Sequence, residues 1–362
     1  MEEVEDMARV AIDYFDNLFC AGSCNQMECL STVSAKVTTD MQEMLSKDFT
    51  ANEIKEVVFQ MRPTKAPRPD GMNALFYQKF WHIMGSDVVN VVLDFLNNGV
   101  MLADLNHTNI VLIPKVKNPK KFFEFRPISL CNVIYKVISK VLANRLKQVL
   151  PDIISPTQSA FVLGRLINDN VIVAYEVLHS MHARKKGKTS SLALKLDVSK
   201  AYDRVEWMFL QGIMQKLGFP EKWIEKVMTC VTTTSFSILL NGKPYGNVIP
   251  SRGIRQGDPL SPYLFLLCAE GFTSLLAKAE YGGKIHGASI CRGEPKVSNL
   301  LFANDSLLFC RAKHDEVEVV SEVLQTYANA SGQCINLEKS SAFFSSNTLT
   351  NQKQDILRIL GV

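Results

Sequence analysis

Leu300-Leu-Phe-Ala-Asn-Asp-Ser-Leu-Leu-Phe309 is the stretch that decides how this chain reads. Apolar residues flank a polar pair, Asn304-Asp305, as in a hydrophobic hairpin whose turn presents two side chains. Two carboxylates there would be placed to hold metal, because hard divalent cations take oxygen ligands from rigid elements. Here the first of the pair is an amide. The surroundings of the turn indicate the fold, and the amide bears on whether the chemistry survives.

Working back from the turn, Ser191-Leu-Ala-Leu-Lys-Leu-Asp197 alternates as a half-buried strand with an acid at its C-terminal end. The pattern predicts a helix over 203–217, stopped by Gly218, and strands 235–240 and 245–249 around Asn241-Gly242, a strong hairpin signal. A turn-rich loop, Ser251 to Pro259, opens an apolar helix over 260–278. Helices over 314–329 and 351–360 follow the strand–turn–strand at 297–311. Further upstream, residues 1–50 read as helical, and Thr50-Ala-Asn-Glu53 is a capping-box start for a helix to Met61. The three prolines of Pro63 to Gly71 break the chain before helices over 73–84 and 86–98, the second ending before Gly99. Asn109 to Pro114 and Arg126 to Leu130 read as paired strands around a lysine-rich loop (Lys115, Lys117, Lys120, Lys121). Helices over 132–149 and 165–182 lead to a basic stretch, Arg184 to Lys188. There is no internal repeat and no low-complexity tract.

The 362 residues can bury two or three sizeable cores, and 47% hydrophobic with 21% charged residues describes an ordinary globular protein. A balance of 40 Lys+Arg against 36 Asp+Glu permits a nucleic-acid partner without arguing for one. The nine cysteines are scattered and lie mostly in apolar stretches, which fits free thiols in a reducing compartment. Cys20, Cys24 and Cys29 lie close together, but no zinc spacing with a fourth ligand follows. The acidic N-terminus lacks the apolar core of a signal peptide, and no stretch reaches the about 18–20 apolar residues of a membrane span. The chain therefore reads as intracellular, nuclear or cytoplasmic and not secreted, with no membrane association and no evident protein partner.

Asp197 at a strand end and Asp305 at a hairpin turn could together hold the two ions, about 3.5–4 Å apart, that nucleotide polymerisation needs. Taken alone, each would be a solvated turn residue; their order and flanks argue otherwise. Lys195-Leu-Asp-Val-Ser-Lys-Ala-Tyr-Asp-Arg-Val-Glu-Trp207 resembles the first catalytic motif of non-LTR (LINE-type) retrotransposon reverse transcriptases of the kind abundant in plant genomes. Arg252-Gly-Ile-Arg-Gln-Gly-Asp-Pro-Leu-Ser-Pro-Tyr-Leu-Phe265 resembles the next motif, and Leu301-Phe-Ala-Asn-Asp-Ser306 stands where the family has Phe-Ala-Asp-Asp. Ser331-Gly-Gln-Cys-Ile-Asn-Leu-Glu-Lys-Ser340 is similar to the motif after that. Ile110 to Lys115, Phe125 to Asn132 and Gln158-Ser-Ala-Phe-Val-Leu-Gly-Arg165 resemble the fingers motifs, in order. The resemblance covers residues 50–345. It favours the LINE type over a group II intron maturase.

The resemblance implies an α+β, right-hand polymerase palm: an antiparallel sheet packed with helices, preceded by largely helical fingers, with the thumb absent. It divides the chain into a helical extension over 1–100, fingers over 101–190 and palm over 191–362. It implies RNA-directed DNA polymerisation with two Mg²⁺ or Mn²⁺ ions, dNTP substrate, an RNA template and a DNA primer. Asp197 and Asp305 would be ligands, with the Val198 carbonyl near the second ion. Tyr202 would exclude a ribose 2′-OH, or be a plain core tyrosine. Gln256 and Gly257 would line the nucleotide and template pair, although the glycine also suits a helix-entry turn. Lys115 and Arg126 would grip the triphosphate, surface charge being the alternative. Lys339 would protonate the leaving pyrophosphate, or be a solvated lysine. Asp203 reads as a structural or helix-start carboxylate. The loops at 115–121 and 184–188 would track a phosphate backbone or be solvated.

Three departures from the family pattern stand out. Asn304 replaces a metal-binding carboxylate, so two dications would face two ligand carboxylates instead of three. Arg68 occupies a usual glycine position in a turn. The chain ends at Leu360-Gly-Val362, before the expected primer grip and thumb, with no endonuclease before the match and no zinc knuckle or ribonuclease after it. These predict weak primer retention and an impaired copy, and they keep open a second reading: a non-catalytic nucleic-acid-binding remnant of a decayed retroelement.

Overall fold

The computed structural model describes residues 2–64, 71–102, 104–187, 189–291 and 296–361. Arg68 and Lys188 lie outside them. In chain order the elements are α1 (Glu2–Phe19), α2 (Met27–Leu30), α3 (Thr39–Ser46), α4 (Ala51–Gln60), α5 (Ala74–Lys79) and α6 (Trp81–Asn98). Then come β1 (His107–Pro114), β2 (Phe125–Cys131), α7 (Val133–Ile153), α8 (Ile167–Ala183), β3 (Ser191–Leu196), β4 (Val198–Ser199), α9 (Trp207–Leu217) and α10 (Glu221–Thr232). The rest are β5 (Ser235–Leu240), β6 (Lys243–Val248), α11 (Ser261–Tyr281), β7 (Asn299–Phe302), β8 (Asp305–Arg311), α12 (His314–Ser331), β9 (Cys334–Ile335), β10 (Ser341–Phe344) and α13 (Thr350–Leu360).

Two compact units form. The first comprises Met1–Gly22, Val37–Val149 and Tyr202–Leu264; the second Ser23–Lys36, Leu150–Ala201 and Phe265–Val362. The first holds a four-stranded sheet, β2-β1-β5-β6, in which β1 and β5 are parallel and the other neighbours antiparallel. α1 covers it with Ala11, Phe15, Leu18 and Phe19, spaced to share one helix face, against Ile110, Phe236, Ile238 and Val248. Fully burying Phe15 is worth about 1.5–3 kcal/mol. The β5–β6 turn has Asn241 at φ 51° and Gly242 at φ 80°, the left-handed pair that the Asn-Gly hairpin predicts.

The second unit holds the antiparallel sheet β10-β3-β8-β7 and the short pair β4-β9. α8 packs Val177 and Met181 on one sheet face with Ala193, Leu300 and Phe309. This is the α+β, palm-type architecture expected from the motifs, and the expected strand–turn–strand is β7–β8.

The Thr50–Glu53 capping box forms as read, and α6 ends on Gly99 at φ 80°. The break between α5 and α6 falls at Phe80, not at Gly85 as the 73–84 and 86–98 division expected. Gly85 is a packing glycine inside α6: a Cβ there would lie 2.8 Å from the Trp81 ring. The helix expected from 203 starts at Trp207, so Asp203 is no helix-start residue. The helix α10 and strands β9 and β10 were not anticipated. β9 and β10 are too short for periodicity to register, and their pairing partners are distant in sequence. No helix among the described residues is long and apolar enough to cross a membrane.

Candidate active site

In the second unit the two acids stand one step beyond the last partners of a strand pair. β3 and β8 pair from Ser191↔Arg311 to Leu196↔Ser306. Continuing that register one step sets Asp197 across from Asp305, on the pleat face shared by Lys195 and Leu307, where facing Cα atoms lie about 4.5–5.5 Å apart. Asp305, Lys195 and Leu307 open on a cleft of about 460 Å³ between α8 and the sheet. Both backbone groups of Asp197 are engaged: its N–H donates to Ser340 Oγ (3.4 Å) and its carbonyl accepts from Asn336 N–H (2.8 Å). Val198 follows directly and pairs with Ile335 across β4–β9. The segment 334–340 therefore fixes the strand end that carries the first acid. Lys339 lies in it, exposed, beside Ser340.

The β7–β8 turn closes over two residues, Ala303 and Asn304, with Phe302↔Asp305 as the last pair. Ala303 sits at φ 53°. For a residue with a Cβ this left-handed conformation costs on the order of 1–2 kcal/mol, so the surroundings must hold it. Asn304 lines a small cavity of about 30 Å³ with Leu196, Val198, Tyr327 and Gln333, which shares Leu301 and Ser306 with the cleft that Asp305 lines.

The oxygens available at this strand end and turn are two carboxylates, the Asn304 amide and the Val198 carbonyl. They suit a hard divalent cation, which takes carboxylate, amide and carbonyl oxygens alike. Two carboxylates neutralise one dication and leave a second under-compensated. Among the described residues the one cluster of three or more His, Cys, Asp or Glu is the exposed His314, Asp315 and Glu318, at the start of α12 beyond the opposite end of β8 from this turn. Cys20, Cys24 and Cys29 form no such group.

The first unit gathers the other candidates. Lys115 and Arg126 sit on the β1–β2 hairpin, both exposed. Arg126 faces Ile113 across the pair, which places it on the same pleat face as Lys115 by alternation. Lys115 Nζ donates to the Phe123 carbonyl at 3.2 Å. Tyr202 is half-buried, and burial pushes its phenol up to about 12.

The motifs 195–207 and 252–265, read separately in sequence, are stitched together within the first unit. Ile254 N–H donates to the Tyr202 carbonyl and Gly253 N–H to that of Val205, both at 2.8 Å. Glu206 accepts from Arg252 at 3.3 Å, and Trp207 Nε1 donates to the Gly253 carbonyl at 2.7 Å. Gln256 Nε2 donates to Asp203 Oδ1 at 2.9 Å, which makes the buried Asp203 structural. Gly257, at φ 106°, lets Ser129 approach: a Cβ would lie 3.2 Å from its carbonyl oxygen. Beneath this loop Arg255 is buried between Asp258 (3.1 Å) and the Tyr135 ring, which donates its own hydroxyl to Asp258 at 2.7 Å.

Sequence reasoning passed over Arg255, Asp258, Glu206, Asn336, Ser340 and Gln158 as contributors. All six lie within or beside the motif segments quoted above. Nothing in a single sequence separates their side chains from ordinary polar surface.

An antiparallel sheet with an acid just after one strand and another at the start of the neighbouring strand, beside a hairpin turn, is a palm-type arrangement. Residues 113–362 match the family described as reverse transcriptase (RNA-dependent DNA polymerase), and the chain belongs to that family. It is 30% identical over 342 residues to the Transposon TX1 uncharacterized 149 kDa protein of Xenopus laevis, covering 94% of this chain and 25% of that protein. It is 26% identical over 278 residues to a retrovirus-related Pol polyprotein from a type-2 retrotransposable element of Drosophila melanogaster, covering 76% of this chain and 24% of the other. An uncharacterized mitochondrial protein of Arabidopsis thaliana is 48% identical over 68 residues, 19% of this chain and 56% of that one. The chain thus spans about a quarter of the length of the first two relatives.

Proposed function

We propose that this chain is the RNA-directed DNA polymerase domain of a non-LTR retroelement, with its metal site weakened by Asn304. The observation that carries the reading is the β3–β8 register within a matched reverse-transcriptase segment, which ends at Leu196↔Ser306, one residue short of Asp197 and Asp305. The transposon and retrotransposable-element names of the relatives support the retroelement assignment. The substrates are an RNA template, a DNA primer and dNTPs. Function on nucleic acid places the chain inside the cell, in the nucleus or cytoplasm. In this reading the palm lies within 191–362, the fingers within 101–190, and 1–100 is a helical extension.

Asp197, Asp305 and the Val198 carbonyl would hold Mg²⁺ or Mn²⁺, which when bound supplies Lewis-acid activation of the primer 3′ oxygen and charge neutralisation on the triphosphate. Lys115 and Arg126 share a hairpin face on which two cations can grip a phosphate chain. The phenol of Tyr202, kept neutral by burial, acts as a bulky group against a ribose 2′-OH. Gln256 and Gly257 shape the nucleotide-facing loop, which Asp203 and Ser129 hold in place. Lys339 Nζ is the proton donor to the leaving pyrophosphate. Asn304 keeps the shape of the missing ligand but none of its charge.

The test is dNTP incorporation on poly(rA)/oligo(dT) with Mg²⁺ or Mn²⁺ by the Asn304→Asp chain, with Asp197→Asn as control. Product that depends on Asp197 supports the reading. Template-primer binding without any product supports the second reading, a non-catalytic nucleic-acid-binding remnant, which the amide at 304 favours.

A further inference from the structure

Gln158 is 1% exposed, and its side-chain oxygen lies where two backbone amides converge: Ala160 N–H at 2.9 Å and Ala303 N–H at 3.1 Å. Two donors on one atom identify that atom as the amide oxygen. Ala303 is the left-handed residue of the turn that carries Asn304 and Asp305. The backbone around Gln158 is itself pinned to the strand entering that turn. Leu301 N–H donates to the Thr157 carbonyl (2.9 Å), and Ser159 N–H donates to the Leu301 carbonyl (3.1 Å). Asn170 Nδ2 donates to both the Thr157 and Leu301 carbonyls, at 3.0 and 2.9 Å. Arg165 donates to the carbonyls of Pro151, Ile154 and Gln158, each at 2.8 Å, and Glu270 accepts from Ser155 N–H at 2.8 Å. By contrast, Gln158 Nε2, also buried, meets no acceptor. The side chain is held here by its oxygen.

We propose that Gln158 is a positioning residue for the site acids: by gripping the Ala303 amide it holds the turn in its strained conformation and so sets Asn304 and Asp305 toward the metal. The inference rests on the reverse-transcriptase reading for its consequence and on the hydrogen bonds alone for the clamp. A ligand misplaced by about 1 Å costs on the order of a hundredfold in rate.

The experiment uses the Asn304→Asp chain as parent and compares Gln158→Met, which keeps volume and removes the acceptor, with Gln158→Glu, which keeps the acceptor. Three quantities are read: amide exchange at Ala303 by NMR, Mn²⁺ affinity by EPR titration, and primer extension resolved into kcat and dNTP KM. In Gln158→Met, Ala303 exchange rises at least about tenfold, Mn²⁺ binding weakens about tenfold, and kcat falls about 10- to 100-fold at unchanged KM. Gln158→Glu restores Ala303 protection and most of the Mn²⁺ affinity. The proposal is overturned if Gln158→Met, folded by circular dichroism, keeps the parent's Ala303 protection, or loses it while binding Mn²⁺ as the parent does. It is equally overturned if Gln158→Met fails to fold and Gln158→Glu, folded, leaves Ala303 unprotected. A parent that binds no Mn²⁺ at all overturns the reverse-transcriptase reading of the site instead, and the exchange comparison still decides the clamp.

Discussion

Replacing Gly253 by alanine should unseat the loop that joins the two motifs of the first unit. Gly253 sits at φ 91°, and a Cβ there would lie 2.8 Å from the Asp203 carbonyl oxygen and 3.2 Å from its carbon. The obstacle is backbone, not the end of a flexible side chain. It cannot retreat without stretching the Gly253–Val205 and Ile254–Tyr202 hydrogen bonds that hold the loop. The left-handed conformation costs about 1–2 kcal/mol for alanine, the forced shift about 1–3 kcal/mol, and a broken Gln256–Asp203 bond about 1 kcal/mol. A loss of about 3–6 kcal/mol lowers the melting temperature of a unit this size by roughly 10 °C or more. The control is Gly242→Ala, at φ 80° with nothing within 4 Å of the added Cβ, which loses the conformational part alone, about 1–2 kcal/mol. Calorimetry of both variants reads the difference. Equal losses would refute the close-approach argument.

Further outcomes follow from the site and the core. Asn304→Asp should raise primer extension about a thousandfold, since one unit charge at about 4 Å in an effective dielectric of about 20 is worth about 4 kcal/mol; single-turnover extension measures it. At pH 8 iodoacetamide should label the exposed Cys20, Cys291 and Cys334 first, while Cys29, Cys230 and Cys310, whose thiols burial pushes up to about 12, and the buried Cys268 stay unlabelled until denaturation; peptide mass spectrometry reads this. Burial alone would raise the Glu53 carboxyl, but hydrogen bonds from Arg145 and Thr50 outweigh it and hold the carboxyl below its ordinary 4.5. Its contribution is therefore present above pH 4.5 and lost as pH falls through the lower folded value, and Arg145→Met should flatten that acid limb of the stability curve.

Much of the palm was legible because its signals are local. Alternation marked β3, apolar residues flanking a polar pair marked β7–β8, Asn-Gly marked the β5–β6 hairpin, and the acids sat at predictable strand and turn ends. The β3–β8 register was not legible, because pairing between residues more than a hundred positions apart leaves no periodic trace. The same holds for the parallel contact of β1 with β5 and for the β4–β9 and β10 additions that pin Asp197. Gln158 was read as part of a motif with no role of its own, since a buried glutamine gripping a turn looks in sequence like any polar residue. Of the two readings that the sequence leaves for Asp203, the structural carboxylate holds and the helix start does not, since α9 begins only at Trp207 and Asp203 is buried on Gln256.

In the proposed site Asp197 and Asp305 jointly hold a divalent ion, and Asn304 stands where a third carboxylate is missing. Mn²⁺ titration by EPR addresses this directly in the chain as given, in Asn304→Asp and in Asp197→Asn. Such a site binds Mn²⁺ weakly in the first, at least about tenfold more tightly and with a second ion in Asn304→Asp, and not at all in Asp197→Asn. Identical titrations for all three proteins would contradict it.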